Sequence, residues 1–109
     1  MRVFLAMAAG CLLASATMGA QARPLTQNDR HTCKWGAQIA AEAQKAKLPG
    51  VTLYASRKKL QVRRFAKPWM RMTAFGITEQ TFNSRSRLKP AAIGQTYYEQ
   101  CVQHAVARK

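Results

Sequence analysis

The stretch HTCKWGAQIAAEAQKAK, residues 31–47, decides the fold of this chain. Small side chains recur along it at helical spacing, which predicts an amphipathic helix. Asn28 or Asp29 precedes it as a candidate helix cap, and the Pro49-Gly50 pair ends it. Lysines in its last turn suit the helix dipole, so the whole stretch is consistent with one helix.

One face of this predicted helix is made of small residues. Such a face lets a second helix approach closely, so we expect it to lie in the protein core. The larger Trp35 and Ile39 fall on the adjoining flank. The small-residue stripe consists of Cys33, Ala37, Ala40, Ala41 and Gln44.

Two further helical segments follow the Pro-Gly pair. Thr52 is a candidate cap for a helix over residues 53–66, and Pro68 marks the boundary with a segment over residues 69–83. The sequence leaves open whether Pro68 kinks one long helix or separates two.

A continuous helical wheel through both segments is amphipathic. Its apolar side carries Tyr54, Val62, Phe65, Trp69 and Met72. The opposite side carries Arg57, Arg64 and Arg71, spaced by seven residues, with Lys67 beside them. Because a small domain needs its few large apolar residues inside, we expect Phe65 and Trp69 to be core residues.

A polar loop, SRSRLK, over residues 84–89 leads to the last predicted helix. Pro90 suits the first turn of this helix. The apolar stripe of the helix is Ile93, Tyr97, Cys101 and Ala105. The predicted fold class is therefore all-α, a small bundle of three to four helices with one disulfide joining the first and last.

The first 22 residues have the layout of a secretory signal peptide. Arg2 precedes an apolar run over residues 3–18, and Ala20-Gln21-Ala22 resembles a cleavage site. The run is shorter than the roughly 20 apolar residues that a spanning helix needs, so no transmembrane span is expected after signal removal. A lipoprotein processing site at Cys11 is an alternative; both interpretations predict export, to the periplasm or the medium.

Removing residues 1–22 leaves 87 residues, enough for a single helical domain over 23–109. That part of the chain contains two cysteines, Cys33 and Cys101, so only one pairing exists within it. In an exported protein such a pair is expected to form a disulfide. Closing a loop of about 69 residues would stabilise the fold by about 4 kcal/mol.

The same cysteines suggest a second interpretation. If they meet, His31, Cys33, Cys101 and His104 approach a zinc-type ligand set. His31 and Cys33, however, point to different sides of a helix, and an oxidising compartment converts thiols to a disulfide first. We therefore expect a disulfide, and neither a metal nor another cofactor.

The chain also resembles a group of small exported helical proteins of Gram-negative bacteria. The shared pattern is an early cysteine in an alanine-rich helix, a glycine after it, and a Pro-opened final helix ending in Tyr-x-x-Cys. Here these residues are Cys33, Gly50, Pro90, Tyr98 and Cys101. The resemblance implies a fold and a compartment, and it implies no chemistry.

The charge balance favours acidic partners. The full chain has 18 basic and 4 acidic residues, for a formal charge of +14, and loss of Arg2 with the signal leaves +13. An excess of this kind governs association and solubility. It suggests an anionic lipid or polysaccharide surface, an acidic protein, or nucleic acid bound without sequence specificity.

Much of this charge lies in SRKKLQVRRFAKPWMRM, residues 56–72. On a membrane, its apolar residues would enter the interface while its cations meet anionic headgroups. In a nucleic-acid binder, the cations would contact phosphates, and binding would weaken steeply with salt. In the third interpretation, the aromatic residues are core and the cations are the solvated side of a helix.

No enzymatic motif is recognisable. The acid and base candidates of the mature chain, Asp29, Glu42, Glu79, Glu99, His31 and His104, do not pair by spacing. There is also no Gly-rich phosphate loop and no H-E-x-x-H sequence. We therefore expect a non-enzymatic protein with no catalytic residues.

The leading functional hypothesis is binding of anionic envelope components, either lipopolysaccharide or phospholipid headgroups. The alternatives are a structural or protein-interaction module with an acidic protein partner, and a nonspecific binder of extracellular nucleic acid. The predicted anion-binding surface consists of Arg57, Lys58, Arg63, Arg64, Lys67, Arg71, Arg85, Arg87 and Lys89.

Overall fold

A computed structural model describes residues 23–107, and over that range the chain forms four helices and no strand. This confirms the all-α prediction. The predicted signal peptide lies outside the described residues. Within residues 23–107, no helix is long and apolar enough to cross a membrane. The helices are α1 (Gln27–Lys47), α2 (Leu53–Val62), α3 (Pro68–Asn83) and α4 (Pro90–Ala107).

Helix α1 begins earlier than predicted, because Thr26 is its cap. The Thr26 hydroxyl accepts a hydrogen bond from the Asp29 backbone N–H at 3.0 Å, and the Asp29 carboxylate accepts one from the Thr26 N–H at 3.0 Å. This reciprocal pair is a capping box. The prediction of Asn28 or Asp29 as the cap was therefore wrong. Asp29 lies one turn inside the helix and holds the cap in place.

Asp29 is also the most perturbed acid of the described chain. Hydrogen bonds from the Thr26 backbone and from the Arg23 guanidinium lower its pKa from 3.8 to about 2. The Arg23 side chain lies 3.0 Å from the carboxylate. Since these partners favour the charged form, Asp29 stabilises the folded state only while it is ionised.

This perturbation predicts a pH-dependent stability. Because the folded-state pKa lies below the unfolded value, the contribution is complete above about pH 4 and is lost as the pH falls toward 2. We expect Asp29→Asn to melt below the wild-type protein at pH 5 to 7, with the difference closing between about pH 4 and 2. Thermal unfolding followed by circular dichroism measures it. A difference that stays constant from pH 6 to pH 2 would contradict this assignment.

Helices α1 and α4 form a close antiparallel pair. The Cys33–Cys101 disulfide joins them, with the two Cα atoms 5.6 Å apart, as predicted. Toward the other end of the pair, a Cβ added at Gly94 would lie 3.2 Å from the Ala37 carbonyl oxygen and 3.5 Å from the Ala41 Cβ. The small-residue stripe therefore does allow the close approach that the sequence predicted.

Helices α2 and α3 are consecutive in the chain and form a helical hairpin. Helix α2 ends at Val62, and α3 begins at Pro68 after the turn at residues 63–67. Pro68 thus separates two helices, with Thr52 capping the first as predicted. The continuous helical wheel does not apply, because the chain reverses direction within the turn.

The core lies where this hairpin covers α1. Its buried cluster contains Ile39, Ala40, Leu60, Ala74 and Ile77. The cluster draws on three helices, which explains why the short α2 is held although only Leu60 of its ten residues is buried. Partly buried aromatic residues complete the packing around it, among them Trp35, Phe65, Phe75 and Tyr97.

The contacts also fix the helix directions. Trp35 packs edge-on against Trp69 near the start of α3, and Lys47 bonds to the Thr81 carbonyl oxygen near its end. Helix α3 therefore runs in the same direction as α1. As a result, the turn at residues 63–67 lies beside the middle of α1, while the loop at residues 84–89 lies at its C-terminal end.

Candidate anion-binding surface

The predicted basic residues fall into groups at opposite ends of α3. Arg63, Arg64 and Lys67 lie in the turn before this helix, whereas the second group, in the loop at residues 84–89, follows it. A helix of 16 residues is about 24 Å long. The turn and the loop are therefore separate basic sites, and the structure does not bring all nine residues together.

Two of the nine residues are engaged with acidic and aromatic neighbours. The Arg57 guanidinium lies 3.2 Å from the Glu79 carboxylate and sits over the Phe75 ring. Arg63 pairs with Glu42 at 2.8 Å. These contacts bind α2 to α3 and to α1, so both arginines have a structural use besides any ligand contact.

Arg71 is a structural residue that closes the α2–α3 hairpin. Its guanidinium donates hydrogen bonds to the Leu60 carbonyl oxygen at 3.4 Å and to the Arg63 carbonyl oxygen at 2.7 Å. It also lies over the Phe65 ring. Carbonyls at the end of a helix lack intrahelical donors, so Arg71 supplies donors from a different helix.

The other cations of the turn are available to a ligand. Arg64 and Lys67 are exposed, and within residues 23–107 neither side chain makes a hydrogen bond, an ion pair or a ring contact. Lys58, on the outer face of α2, lies over the Tyr54 ring 5.5 Å from its centroid and has no acidic partner in the described chain.

Large exposed apolar side chains occur in the same short segment as Arg64 and Lys67. Val62 is 83 % exposed, Met72 is 72 % exposed and Trp69 is 46 % exposed, while Phe65 is half-buried. We call residues 62–72 the hairpin tip. Within it, the Arg71 bond to the turn holds the end of α2 against the start of α3. The tip therefore combines exposed apolar groups with unpaired positive charge.

The prediction that Trp69 is a core residue was wrong. One edge of its ring packs on Trp35 with the centroids 5.8 Å apart, and nearly half of the side chain faces solvent. Phe65, half-buried beside the core, agrees better with the same prediction. Trp69 is thus anchored on the protein and still available at the surface.

The second basic site is the loop at residues 84–89, which is held by hydrogen bonds from side chains of α1. The Lys47 ammonium donates to three carbonyl oxygens, those of Thr81 at 3.0 Å, Ser84 at 2.9 Å and Ser86 at 2.9 Å. The buried Gln44 amide donates to the carbonyl oxygens of Ser86 at 3.1 Å and Leu88 at 2.8 Å. No local pattern in the sequence predicts either interaction, since the partners lie 34 to 44 residues away.

This anchoring leaves the loop's own cations at the surface. Three basic residues are exposed, and their side chains form no bond to any other part of residues 23–107. The loop differs from the hairpin tip in its apolar content, since its one exposed large apolar residue is Leu88. The three basic residues are Arg85, Arg87 and Lys89.

All four acids of the described chain have bonding partners. Asp29 belongs to the cap, Glu42 and Glu79 pair with arginines, and Glu99 accepts a hydrogen bond from Gln95 at 3.0 Å. Within residues 23–107, no group of three or more histidine, cysteine or acidic side chains has the placement to hold a metal ion. Both cysteine sulfurs of the zinc-type alternative are in the disulfide.

Comparison of the chain with protein families, with curated proteins and with solved structures finds no match. The functional conclusion therefore depends on the geometry and chemistry of the hairpin tip and the basic loop.

Proposed function

We propose that this is an exported, periplasmic or secreted, non-enzymatic protein that binds anionic lipid headgroups of the envelope through the hairpin tip. The observation that carries the proposal is the tip's composition. Exposed Val62, Trp69 and Met72 share this short segment with Arg64 and Lys67, whose side chains have no partner in the described chain.

This composition matches the chemistry of a membrane interface. Moving apolar side chains from water into the boundary between headgroups and acyl chains lowers the free energy, and Trp is well suited to that depth. Each Lys or Arg near an anionic bilayer surface adds about 1 kcal/mol of attraction. Binding of nucleic acid would use the cations but would not explain why Val62 and Met72 are exposed. Binding of lipid explains both the cations and the exposed apolar side chains, so we favour lipid.

The proposed compartment has separate support. The leader predicts export, and a disulfide that joins the first and last helices suits an oxidising compartment. The four acids of the described chain all form hydrogen bonds or ion pairs within it, which favours a binding role over catalysis.

Charge reversal at the tip tests the proposal. We expect Arg64→Glu with Lys67→Glu to weaken binding to vesicles containing phosphatidylglycerol by about 30-fold or more, the effect of losing about 2 kcal/mol of attraction. Both residues are exposed and unpaired in the described chain, so the fold should persist. Co-sedimentation measures the binding, and circular dichroism checks helicity.

The chain offers a matched control in the basic loop. Arg85→Glu with Arg87→Glu makes the same change in net charge at the far end of α3, where the surface is less apolar. We expect this control to weaken binding much less than the tip variant. Equal losses in the two variants would indicate a general charge effect, and unchanged affinity in the tip variant would contradict the proposed site.

A further inference from the structure

A partly enclosed cavity of about 270 Å³ lies between α1 and α2. Ile39, Ala43 and Leu60 give it apolar walls, and α3 contributes Thr78. An apolar protein cavity of roughly 150 Å³ is large enough to hold a benzene molecule. This cavity therefore has room for a larger apolar group.

The two ends of the cavity differ in polarity. Glu42 and Arg63 line one end, and Ala46 and Val51 line the other, where the Val51 N–H bonds to the Ala46 carbonyl oxygen. Because Arg63 neutralises Glu42 at 2.8 Å, the cavity-lining charge that has no partner within residues 23–107 is that of the Lys59 side chain. The lining is thus amphipathic with a positive excess.

Thr78 adds an unused polar group to the wall. The residue is 3 % exposed, and its hydroxyl has no hydrogen-bond partner anywhere in residues 23–107. Thr81, one turn later in the same helix, instead bonds to the Ile77 carbonyl oxygen at 2.8 Å. A hydroxyl that makes no bond within the described chain can donate to, or accept from, an oxygen of an occupant, so an occupant that carries oxygen atoms fits better than a plain hydrocarbon.

We propose that this cavity binds a single-chain anionic amphiphile of the fatty-acid class. The acyl chain lies against Ile39, Ala43 and Leu60, and the carboxylate is held by the Lys59 ammonium. The Thr78 hydroxyl provides a hydrogen bond to oxygen on the ligand. This site is distinct from the hairpin tip, and the inference does not depend on vesicle binding.

Isothermal titration with sodium decanoate, below its micelle-forming concentration, tests the site. We expect saturable one-to-one binding to the disulfide-bonded protein. Lys59→Gln should weaken it by about fivefold, the upper end for a solvent-exposed charge pair. Lys58→Gln, a matched change at an exposed neighbour that does not line the cavity, should leave it unchanged.

Two further variants separate this cavity from other sites. Ala46→Phe fills the cavity and should abolish saturable binding, while Thr78→Val keeps the shape and should weaken it. The Arg64→Glu, Lys67→Glu tip variant should bind decanoate like the wild-type protein. The absence of saturable binding, or equal effects of Lys59→Gln and Lys58→Gln, would overturn the proposal. So would decyltrimethylammonium binding as tightly as decanoate.

Discussion

Replacing Cys33 and Cys101 with serine is expected to lower the free energy of unfolding by about 4 kcal/mol. The disulfide joins residues separated by 68 positions, and its loss would free a long loop in the unfolded chain. Small domains have total stabilities of about 5–15 kcal/mol, so the loss is a large fraction of the whole. The α1–α4 pair depends on this bond most directly.

Urea unfolding followed by circular dichroism measures this effect. Dithiothreitol provides the control, since it should destabilise the wild-type protein to the level of the double variant and leave the double variant unchanged. A loss of less than about 1 kcal/mol would show that helix packing alone holds the fold.

The second large effect is expected at Lys47. Replacing it with methionine keeps the unbranched side chain as far as Cε and removes the donor of three hydrogen bonds to the end of α3 and the basic loop. Hydrogen bonds to a charged group contribute about 1.5–3 kcal/mol, and the three carbonyl oxygens would have to find water. We expect the free energy of unfolding to fall by about 2 kcal/mol.

Lys45→Met provides a matched control for this variant. Lys45 lies in the same last turn of α1, is exposed and has no bonding partner in the described chain. Its replacement should change the free energy of unfolding by less than about 0.5 kcal/mol. Equal effects of the two substitutions in urea unfolding would mean that charge, and not the three bonds, is responsible.

Local signals made most of the fold predictable from the sequence. Thr52 caps α2 and Pro90 opens α4 as expected, because caps and helix-starting prolines act on their immediate neighbours. The disulfide was predicted from two cysteines in a chain that is expected to be exported. The Thr26 cap was missed because Asp29 is also a common capping residue, and only the backbone shows which of the two stands at the boundary.

Tertiary contacts made the rest unpredictable. The break between α2 and α3 brings Arg71 back to the Leu60 carbonyl oxygen of α2 and to the Arg63 carbonyl oxygen of the turn, and these contacts across the turn have no local sequence signal. The cavity depends on how far α2 lies from α1, which no local pattern reports. Trp69 was expected inside because a small domain needs its few large apolar residues in the core, yet nearly half of its side chain is exposed.

For the candidate site, the sequence shows which residues are basic. It does not show which of them lack an acidic partner and are free to contact a ligand. The partners of Arg57 and Arg63 are acids 22 and 21 residues away. Spacing along one helix cannot identify such pairs. The structure therefore narrows the turn to Arg64 and Lys67 as its free cations within the described chain.

The most direct test of the central claim is the salt dependence of binding to lipid vesicles. The disulfide-bonded protein is co-sedimented with phosphatidylglycerol-containing vesicles and with phosphatidylcholine vesicles across a salt series. We predict binding to the anionic vesicles that weakens as salt rises, with much weaker binding to the neutral ones. The absence of binding to both vesicles would contradict the account and make the tip a surface for a protein partner.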